Sequence, residues 1–522
     1  MPLSLAYLAF LAVALPLYFA LPARCKSPFL LLASIIFYAF CPWQSLAVMA
    51  ALVAVTYAAG RGMGALITRQ NAMLAAHRAD GSWDKETRRR YRDAKQRQTR
   101  AVLTTAVTLQ LLCLACFKLS WPTRLGGDAW MLPLGLSFVT LSAIGYLVDV
   151  ARGQIEAEKR FWRVALFLLY FPQMWQGPIH RYAQLSPELC TPHAFDAHRA
   201  RAGMLRATWG LIKKMIFANT AALATSAILE DQAALGGAGM WLLVLLYSVR
   251  IYADFTGGMD IALGVSRVLG ISMAENFDRP FASPSLKEYW RRWHRTMGRW
   301  FEDYVFYPLS LSRPMQRLSL WTRAHLGQAT GRYLPLTVAM LATWCATGLW
   351  HGISWNFILW GLFNGILLLL SQLLSPCRRR LREQYSAVAE SRVWYGLSCA
   401  ATVFTAGLLR TLDLNPSAGV TLRLWGQMLS PSAFIRLADG ALWRTLGLNL
   451  AQWVLLVLGV IAMTVVGRLT PRPDEQKTPL RERLAARPLL CAVLLALGVV
   501  SVAVLGVYGL GYDAGSFIYG EF

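Results

Sequence analysis

Apolar residues occur along this chain in runs that match the length of a membrane crossing. A helix needs roughly 20 apolar residues to cross about 30 Å of hydrocarbon. The clear runs cover about Leu3–Leu21, Ala101–Leu119, Leu132–Val150, Gly239–Phe255, Leu334–Leu349, Ser354–Leu374, Val393–Leu409, Leu448–Val466 and Leu489–Leu510. Each of these runs predicts a transmembrane helix.

The stretch from Pro28 to Gly60 is too long for one crossing and predicts a hairpin of two. Cys41-Pro42-Trp43 interrupts it, because proline removes a backbone donor and clashes with the preceding helical turn. Met1–Tyr7 has no basic residue, so we expect the first run to remain as a helix rather than to act as a cleaved signal. The expected fold is an all-α polytopic integral membrane protein with about 11 or more transmembrane helices.

The least regular part of the chain, roughly Phe161 to Thr330, mixes short apolar stretches with Pro, Gly, His and Arg. Irregular backbone at membrane depth is tolerated only where protein buries it or water reaches it. We therefore expect a cavity there, together with re-entrant and interfacial helices. The interpretation is a single integral domain over residues 1–522, with its catalytic core region at 161–375.

The charge distribution supports a membrane protein. Hydrophobic residues make up 56% of the chain and charged residues 15%, and the mean hydropathy is +0.40. The net charge of +24 comes from clusters at Arg61–Arg100, Arg378–Arg382 and Arg468–Arg487. Short basic loops next to membrane spans stay in the cytoplasm. These clusters therefore predict a cytoplasmic loop at 61–100, both termini outside the cytoplasm, and no nucleic-acid partner.

The cysteines do not indicate a metal site or a disulfide framework. The chain has nine, scattered mostly through apolar segments without a CxxC pair or a spacing that suits zinc. We expect them to be small buried hydrophobic residues. Neither a metal nor a tightly bound cofactor is predicted.

A histidine lies between two apolar runs in the segment Ala346–Phe357. An ionisable residue at this depth costs free energy unless it is paired or solvated, so His351 is the leading catalytic candidate. Gly348 and Gly352 permit a break between the helices and leave room for a substrate beside the imidazole. The alternative is a structural histidine that is hydrogen-bonded among neighbouring tryptophans.

The segment Ser283–Trp300 predicts one amphipathic helix at the cytoplasmic interface. Its aromatic face would consist of residues at spacings of three and four, namely Trp290, Trp293, Met297 and Trp300. Its arginines would form much of the other face. His294 lies beside the aromatic residues, and it is either incidental to a solvated basic helix or directed towards a reaction chamber whose arginines bind a phosphate-bearing donor.

Three other polar residues in apolar surroundings have simpler explanations. Asp254 and Asp260 could be bases or ligands, but pairing with a nearby arginine or capping of a broken helix accounts for them equally well. His180 lies in the kinked turn Gln176–Arg181, and we expect it to be structural.

Several motifs resemble one family. They are Pro133–Phe138 with Tyr146–Asp149, Phe171–Ile179, Asn276–Phe281 leading into Tyr289–Trp300, and Thr347–Gly352. Together they resemble the membrane-bound O-acyltransferases, in the bacterial branch of the alginate O-acetylation and teichoic-acid D-alanylation membrane subunits. The resemblance covers nearly the whole chain.

The resemblance implies that His351 is the catalytic histidine and that His294 is a second, supporting one. It also implies a funnel through a thinned membrane, which an acyl thioester enters from the cytoplasm. The expected donor is acetyl-coenzyme A or an acyl group on a phosphopantetheine carrier protein. The predicted donor-binding residues are Arg291, Arg292, Arg295, Trp290, Trp350 and Asn356.

The C-terminal tail, residues 512–522, ends in Ser516–Phe522 and resembles the Phe-x-Tyr-x-x-Phe ending of relatives. The predicted topology places this tail outside the cytoplasm. Tyr519 is therefore a candidate relay that accepts the acyl group near His351 and passes it to a secreted or periplasmic acyltransferase resembling SGNH hydrolases. The alternative is an aromatic anchor at the membrane interface.

The expected activity is movement of an acyl group, with acetyl preferred, across the bacterial inner membrane for O-acylation of an exported polysaccharide. D-Alanyl transfer from a carrier protein to a cell-envelope polymer is an alternative that the motifs do not separate. A polysaccharide exporter or transporter, and a scaffold that recruits a periplasmic enzyme, are alternatives from other classes. Both would tolerate loss of the His351 imidazole, whereas an enzyme would not.

Overall fold

A computed structural model describes residues 5–120, 132–174, 176–415, 417–471 and 478–507 of the protein. Every regular element in these ranges is helical. The α-helices are α1 (Leu5–Ala20), α2 (Ala23–Ala39), α3 (Trp43–Ala79), α4 (Lys85–Lys118), α5 (Leu136–Ala151), α6 (Phe161–Leu169), α7 (Phe171–Met174), α8 (Tyr182–Cys190), α9 (Ala197–Ile212), α10 (Asn219–Glu230), α11 (Gln232–Val268), α12 (Leu286–Arg292), α13 (Arg295–Phe301), α14 (Tyr307–Ser310), α15 (Arg313–His351), α16 (Trp355–Leu373), α17 (Ser375–Gln384), α18 (Ser386–Ala389), α19 (Arg392–Leu414), α20 (Ala418–Gln427), α21 (Pro431–Ala438), α22 (Gly440–Thr445), α23 (Leu450–Leu469), α24 (Leu480–Ala485) and α25 (Pro488–Leu505). Two π-helical turns, Lys213–Ala218 and Glu302–Phe306, and a 3-10 turn, Pro280–Ala282, complete the set.

The apolar runs of the sequence correspond to these helices. Eight helices in the described ranges are long and apolar enough to cross a membrane, and α1 and α5 are shorter apolar helices. The predicted hairpin is confirmed as well, because α2 ends at Ala39 and α3 begins at Trp43, directly after Pro42. The prediction of an all-α, multi-pass membrane protein is confirmed.

The long helices alternate in direction, so the bundle has two chemically different ends. One end of the bundle holds the connections between α3 and α4, between α16 and α19, and between α23 and α25. We call it the basic end, because these segments hold the basic clusters. At the other end, the opposite end, the Lys118 ammonium donates to the backbone carbonyl of His351 at 3.0 Å. This contact joins the ends of α4 and α15.

The residues from Arg61 to Arg100 form a helical hairpin and not the loop that the sequence suggested. α3 has 37 residues and α4 has 34. At 1.5 Å per residue each helix is longer than the roughly 30 Å of hydrocarbon in a bilayer. Only residues 80–84 connect them, and Asp84 caps α4 by accepting from the Thr87 N–H at 2.8 Å. Alanine, arginine, lysine and glutamine favour helix even without packing, which explains the difference.

Two helices cross at the centre of the bundle with their backbones in close contact. Gly203 and Gly210 of α9 face Gly264 and Gly257 of α11. A Cβ at any of these glycines would lie between 2.5 and 2.9 Å from the carbonyl oxygen of the facing glycine. Small residues permit such close approach between membrane helices. The crossing therefore fixes the position of α9 relative to α11.

The acidic residues of α11 are paired with cations from the segment that crosses it. Asp254 pairs with Lys214, and Asp260 accepts from Arg206 at 2.8 Å and from Lys213 at 2.7 Å. Charged groups inside a membrane require such pairing or hydration. The pairing interpretation of both aspartates is therefore the one observed, with lysines taking part as well as arginine.

Replacing Gly210 by valine should lower the thermal stability of the protein, because the branched side chain would push α9 away from α11. Overpacking of this kind costs about 1–3 kcal/mol. Gly62→Val is the matched control, since a Cβ at this helical glycine meets no atom within 4 Å. Thermal unfolding in detergent would check the prediction. Equal unfolding midpoints for the two variants would contradict it.

Candidate active site

His351 is the last residue of α15 and lies where the chain turns back into α16. The residue is 1% exposed. Gly352 has extended backbone, and the Phe357 ring occupies the space that a Cβ on Gly352 would need. Gly348 lies against the Phe357 carbonyl in the same way. The two glycines therefore allow α16 to pack closely on α15 and to bury the imidazole.

Aromatic rings surround the imidazole of His351. Trp350 and Trp360 meet it edge to face, with ring centroids 4.9 and 5.0 Å away, and Phe357 stacks on it at 6.4 Å. These rings keep bulk water away from the imidazole. Electrostatic interactions that reach it are accordingly stronger than they would be in water.

The segment Ser283–Trp300 is not the continuous amphipathic helix that the sequence predicted. It breaks at His294, whose backbone is left-handed (φ 47°, ψ 51°), between α12 and α13. The backbone carbonyl of Asn276 accepts from the Arg295 N–H at 2.9 Å and so satisfies a donor at the start of α13. Tertiary contacts here outweigh helical periodicity, and they place His294 inside the protein at 0% exposure.

The Asn276 side chain holds His294 in one tautomer. Its Oδ1 accepts from the backbone N–H and the hydroxyl of Thr296 at 3.1 and 2.9 Å, which assigns the oxygen of the amide to that side. Its Nδ2 and Oδ1 lie 3.1 and 3.2 Å from Nδ1 of His294. Because Oδ1 already accepts two hydrogen bonds from Thr296, we assign Nδ2–H as the donor to Nδ1. With this assignment the neutral imidazole carries its proton on Nε2.

A cavity of about 1230 Å³ connects the basic end with the surroundings of His351. Near the basic end its wall carries the cations Lys287, Arg291, Arg295, Arg299 and Arg378. Its inner wall contains His294, Trp344, Thr347 and Trp360. Because Trp360 contacts the imidazole of His351, the cavity passes one histidine and reaches the ring that packs on the other.

Four of the predicted donor-binding residues line this cavity, namely Trp290, Arg291, Arg292 and Arg295. The two adjacent arginines differ in exposure. Arg291 is 73% exposed, whereas Arg292 is 8% exposed and bonds Glu288 at 2.7 Å and the Ala282 carbonyl at 3.0 Å. Hydrogen bonds from Arg291 and Arg292 hold the pKa of Glu288 below its ordinary value, although burial of the carboxyl acts in the opposite direction. Arg292 therefore mainly holds α12 in place.

The other two predicted donor-binding residues are not brought to the wall of this cavity. Trp350 packs on Phe138 and His351. Asn356 donates to the backbone carbonyl of Asn415 at 2.7 Å and ties α16 to the end of α19. Tyr519 lies outside the described residues.

Sequence reasoning missed an arginine that lies beside the site. Arg410 of α19 is 5% exposed, and its guanidinium stands 4.6 Å from the ring centroid of Trp360. It pairs with Asp413 at 3.0 Å and lies within electrostatic reach of both His294 and His351. An arginine and an aspartate near the end of an apolar run were the available signal. Asn276 was noted only as the first residue of the motif Asn276–Phe281, which indicated no role for its side chain.

His180 has the structural role that the sequence favoured. Its Nδ1 donates to the Pro178 carbonyl at 3.0 Å, and its Nε2 accepts from the Ala274 N–H at 2.9 Å. Both ring nitrogens are thus used to hold the turn. In the ranges of the chain that the structure covers, no group of three or more His, Cys, Asp or Glu residues could hold a metal ion.

Much of this chain is similar in sequence to known proteins. A family model described as "MBOAT, membrane-bound O-acyltransferase family" matches residues 158–321. The chain is 30% identical over 381 residues to the probable alginate O-acetylase AlgI of Azotobacter vinelandii, which covers 70% of this chain and 67% of that protein. It is 26% identical over 411 residues to the peptidoglycan O-acetyltransferase of Helicobacter pylori, covering 71% and 70%.

A third relative is named for a different activity. The teichoic acid D-alanyltransferase of Bacillus subtilis is 27% identical over 241 residues, 45% of this chain and 58% of that protein. Three alginate relatives each match 70% of this chain, and the matched part spans about two thirds of their own length.

The helical membrane bundle buries two histidines, and a basic, partly aromatic cavity lies beside them. The chain belongs to the membrane-bound O-acyltransferase family. The expectation of an acyltransferase is confirmed at this level.

Asn276→Asp should reverse the tautomer of His294, because a carboxylate accepts from the ring Nδ1–H as well as from Thr296. We expect the rate of acyl transfer to fall about tenfold or more, as when an orienting carboxylate and amide are exchanged at a catalytic histidine. Asn219→Asp is the control for burying a carboxylate, since Asn219 is 3% exposed and contacts the sulfur of Met215. A folded Asn276→Asp protein that retains the full rate would exclude a role for the tautomer.

Proposed function

We propose that the protein is an O-acyltransferase that takes an acyl group, acetyl in the first instance, from a cytoplasmic thioester. The group is moved across the membrane for O-acylation of an exported cell-surface polysaccharide. The observation that supports this most directly is the cavity that runs from the basic end, past His294, to the tryptophan that packs on His351. The alginate and peptidoglycan relatives are named as acetyl-transferring enzymes, which supports acetyl as the transferred group.

The positive-inside rule makes the basic end cytoplasmic. The donor then enters among Lys287, Arg291, Arg295, Arg299 and Arg378, whose charges suit the phosphates of coenzyme A or of a phosphopantetheine carrier. The long, partly aromatic cavity suits the thin pantetheine arm that joins those phosphates to the thioester. The thioester carbonyl would lie beside Trp360, next to His351.

The chemistry proposed is attack of an acceptor hydroxyl on the thioester carbonyl. The imidazole of His351 takes the hydroxyl proton while the new C–O bond forms. Collapse of the tetrahedral intermediate breaks the C–S bond, and the proton passes from the imidazolium to the thiolate that leaves. His294, with its proton on Nε2, is a hydrogen-bond donor in the same cavity and supports the site. It needs no change of charge to do so.

Arg410 contributes a fixed positive charge to this site. A buried cation stabilises the negative charge that develops on the carbonyl oxygen, and it does so most effectively where water is excluded. Asp413 compensates the charge of Arg410 when no substrate is bound. The pair therefore provides polarity beside the histidines at a smaller desolvation cost than a lone arginine.

The acceptor hydroxyl is proposed to be that of Tyr519. α25 begins at the basic end and ends at Leu505, so the chain continues towards the tail from the other side of the bundle. A tyrosyl ester formed there can pass its acyl group to a secreted or periplasmic acyltransferase of the SGNH-hydrolase type. D-Alanyl transfer is the second candidate, because the B. subtilis relative is named as a D-alanyltransferase.

His351→Ala should abolish acyl transfer while leaving the protein in the membrane, because it removes the imidazole that is proposed as the general base. Loss of a general base lowers the rate about 10²–10⁴-fold. The measurement is the ester content of the exported polymer in cells that contain normal amounts of the protein. His325→Ala is the matched control, since His325 lies before the break at Gly327 and bonds the Trp321 carbonyl at an exposed position. Normal ester content with His351→Ala would leave a scaffold or exporter as the explanation.

The full-length protein incubated with acetyl-coenzyme A should acquire one acetyl group, and Tyr519→Phe should abolish this adduct. Peptide mass spectrometry would locate the group. Tyr385→Phe is the control, since Tyr385 is an exposed tyrosine at the basic end. A D-alanyl carrier protein in place of acetyl-coenzyme A separates the two donors in the same assay. An adduct that survives Tyr519→Phe would rule out the tyrosine relay.

A further inference from the structure

A second cavity, of about 540 Å³, lies next to the candidate active site and serves no step of the proposed reaction. It is lined by α9, α11, α23, α24 and α25 and by the segment 275–279. That segment separates the two cavities. Asp278 lines both of them, whereas Asn276 lines the second cavity and directs its amide to His294.

The apolar part of this cavity lies between helices at the periphery of the bundle. α23 and α25 approach the core closely at Gly459 and Gly498, where a Cβ would collide with Phe217 and Thr208. Closer to the basic end the space between them remains open and forms the cavity. Outward-facing residues of the same two helices, such as Leu489 at 81% exposure, are available to lipid. The cavity therefore lies next to the leaflet at the basic end.

The charged part of the wall contains an ion-pair network whose innermost cations are already satisfied. Arg206 makes a two-pronged contact with Glu275 at 2.7 Å and bonds Asp260 at 2.8 Å. Lys213 bonds Asp260 at 2.7 Å and Thr256 at 2.9 Å. These contacts join α9, α11 and the segment 275–279 and leave little for a ligand.

Two other arginines of the wall retain unused donors. Arg279 has a left-handed backbone (φ 48°), and its guanidinium makes one bond, to the Thr470 carbonyl at 2.8 Å, with no carboxylate partner among the described residues. Arg481 bonds Glu275 at 3.2 Å, and its buried Nε faces the Glu482 carboxylate at 3.7 Å, which is an ion pair but too long for a hydrogen bond. The wall as a whole carries four cations, including Arg206 and Lys213, against the three carboxylates of Asp260, Glu275 and Asp278.

We propose that this cavity binds an anionic phospholipid from the adjacent leaflet, with its phosphate hydrogen-bonded by Arg279 and Arg481. The apolar part of the lipid lies against Met463, Val466 and Leu494. Guanidinium groups bind phosphate through paired N–H donors, and basic pockets between membrane helices select anionic headgroups. A free phosphate ion would use the same arginines, but it would leave the apolar wall exposed to water.

Lipid in this cavity stabilises the segment that orients His294. Glu275 ties the segment to Arg206 and Arg481, and the next residue, Asn276, holds the imidazole. Occupancy of the cavity therefore favours the active arrangement of the neighbouring site. This consequence rests on the proposed function, whereas binding of the lipid does not.

Native mass spectrometry of the purified full-length protein would test the proposal. Phosphatidylglycerol should bind to the unaltered protein, and Arg279→Gln should raise the concentration needed for half-occupancy about tenfold, which corresponds to about 1.4 kcal/mol. Glutamine keeps most of the side-chain length and the same backbone conformation. Arg69→Gln, at an exposed position of α3, is the matched control and should bind as the unaltered protein does.

The remaining arms of the experiment separate the sources of the phosphate. Phosphatidylcholine should bind at least tenfold more weakly, and inorganic phosphate should not displace bound phosphatidylglycerol. Equal binding of both lipids, displacement by inorganic phosphate, or unchanged binding by both Arg279→Gln and Arg481→Gln would overturn the proposal. Because no acyl donor is present, failure of this binding leaves the transferase test of His351 unaffected.

Discussion

The hydrogen bonds of Asn276 are the interaction on which the geometry of the site depends. They connect an irregular segment to the first turn of α13, and they replace the contacts that a continuous helix through His294 would make internally. Without them the sequence Ser283–Trp300 would form one amphipathic helix with His294 near its surface. With them the helix breaks, the imidazole turns inward, and its tautomer is set by the direction in which the amide donates.

The segment that contains Asn276 is held from its other side by charge. Glu275 accepts from Arg206, which is fixed in turn by the close crossing of α9 and α11. Breaking this partly buried pair would remove one of the two carboxylates that Arg206 contacts. The glycine contacts, the ion pairs and the amide therefore form one chain of constraints. These contacts connect the crossing of α9 and α11 to the imidazole of His294.

The sequence was informative where a single local rule decides the structure. Hydrophobic run length located the membrane helices, and Pro42 located the turn of the first hairpin, because proline acts on its own backbone. His351 was conspicuous because an ionisable residue stood between two glycines in an apolar run. The break at His294 was not predictable in this way. Its cause lies 18 residues earlier in Asn276, and no periodicity reports a contact between distant segments.

The position of Arg410 in the fold was likewise not predictable from the sequence. Its charge was visible in an apolar run, but its position beside Trp360 depends on how α19 packs against α16. The prediction of a loop at 61–100 was wrong for the opposite reason. The basic residues there were interpreted as a loop, although their intrinsic propensity favours helix. Side-chain chemistry could be inferred from the sequence in both cases. Its location required tertiary structure.

The position of His351 within the bundle fits the role proposed for it, in which one residue serves substrates on two sides of a membrane. Ile353 and Trp355, directly after it, are 40% and 74% exposed, so only the tip of the hairpin separates the imidazole from the opposite end. From the basic end it is reached through the cavity that passes His294. A thioester entering from one side and a hydroxyl arriving from the other would meet at this single imidazole. Neither substrate has to cross the bundle, so only the acyl group needs to change sides.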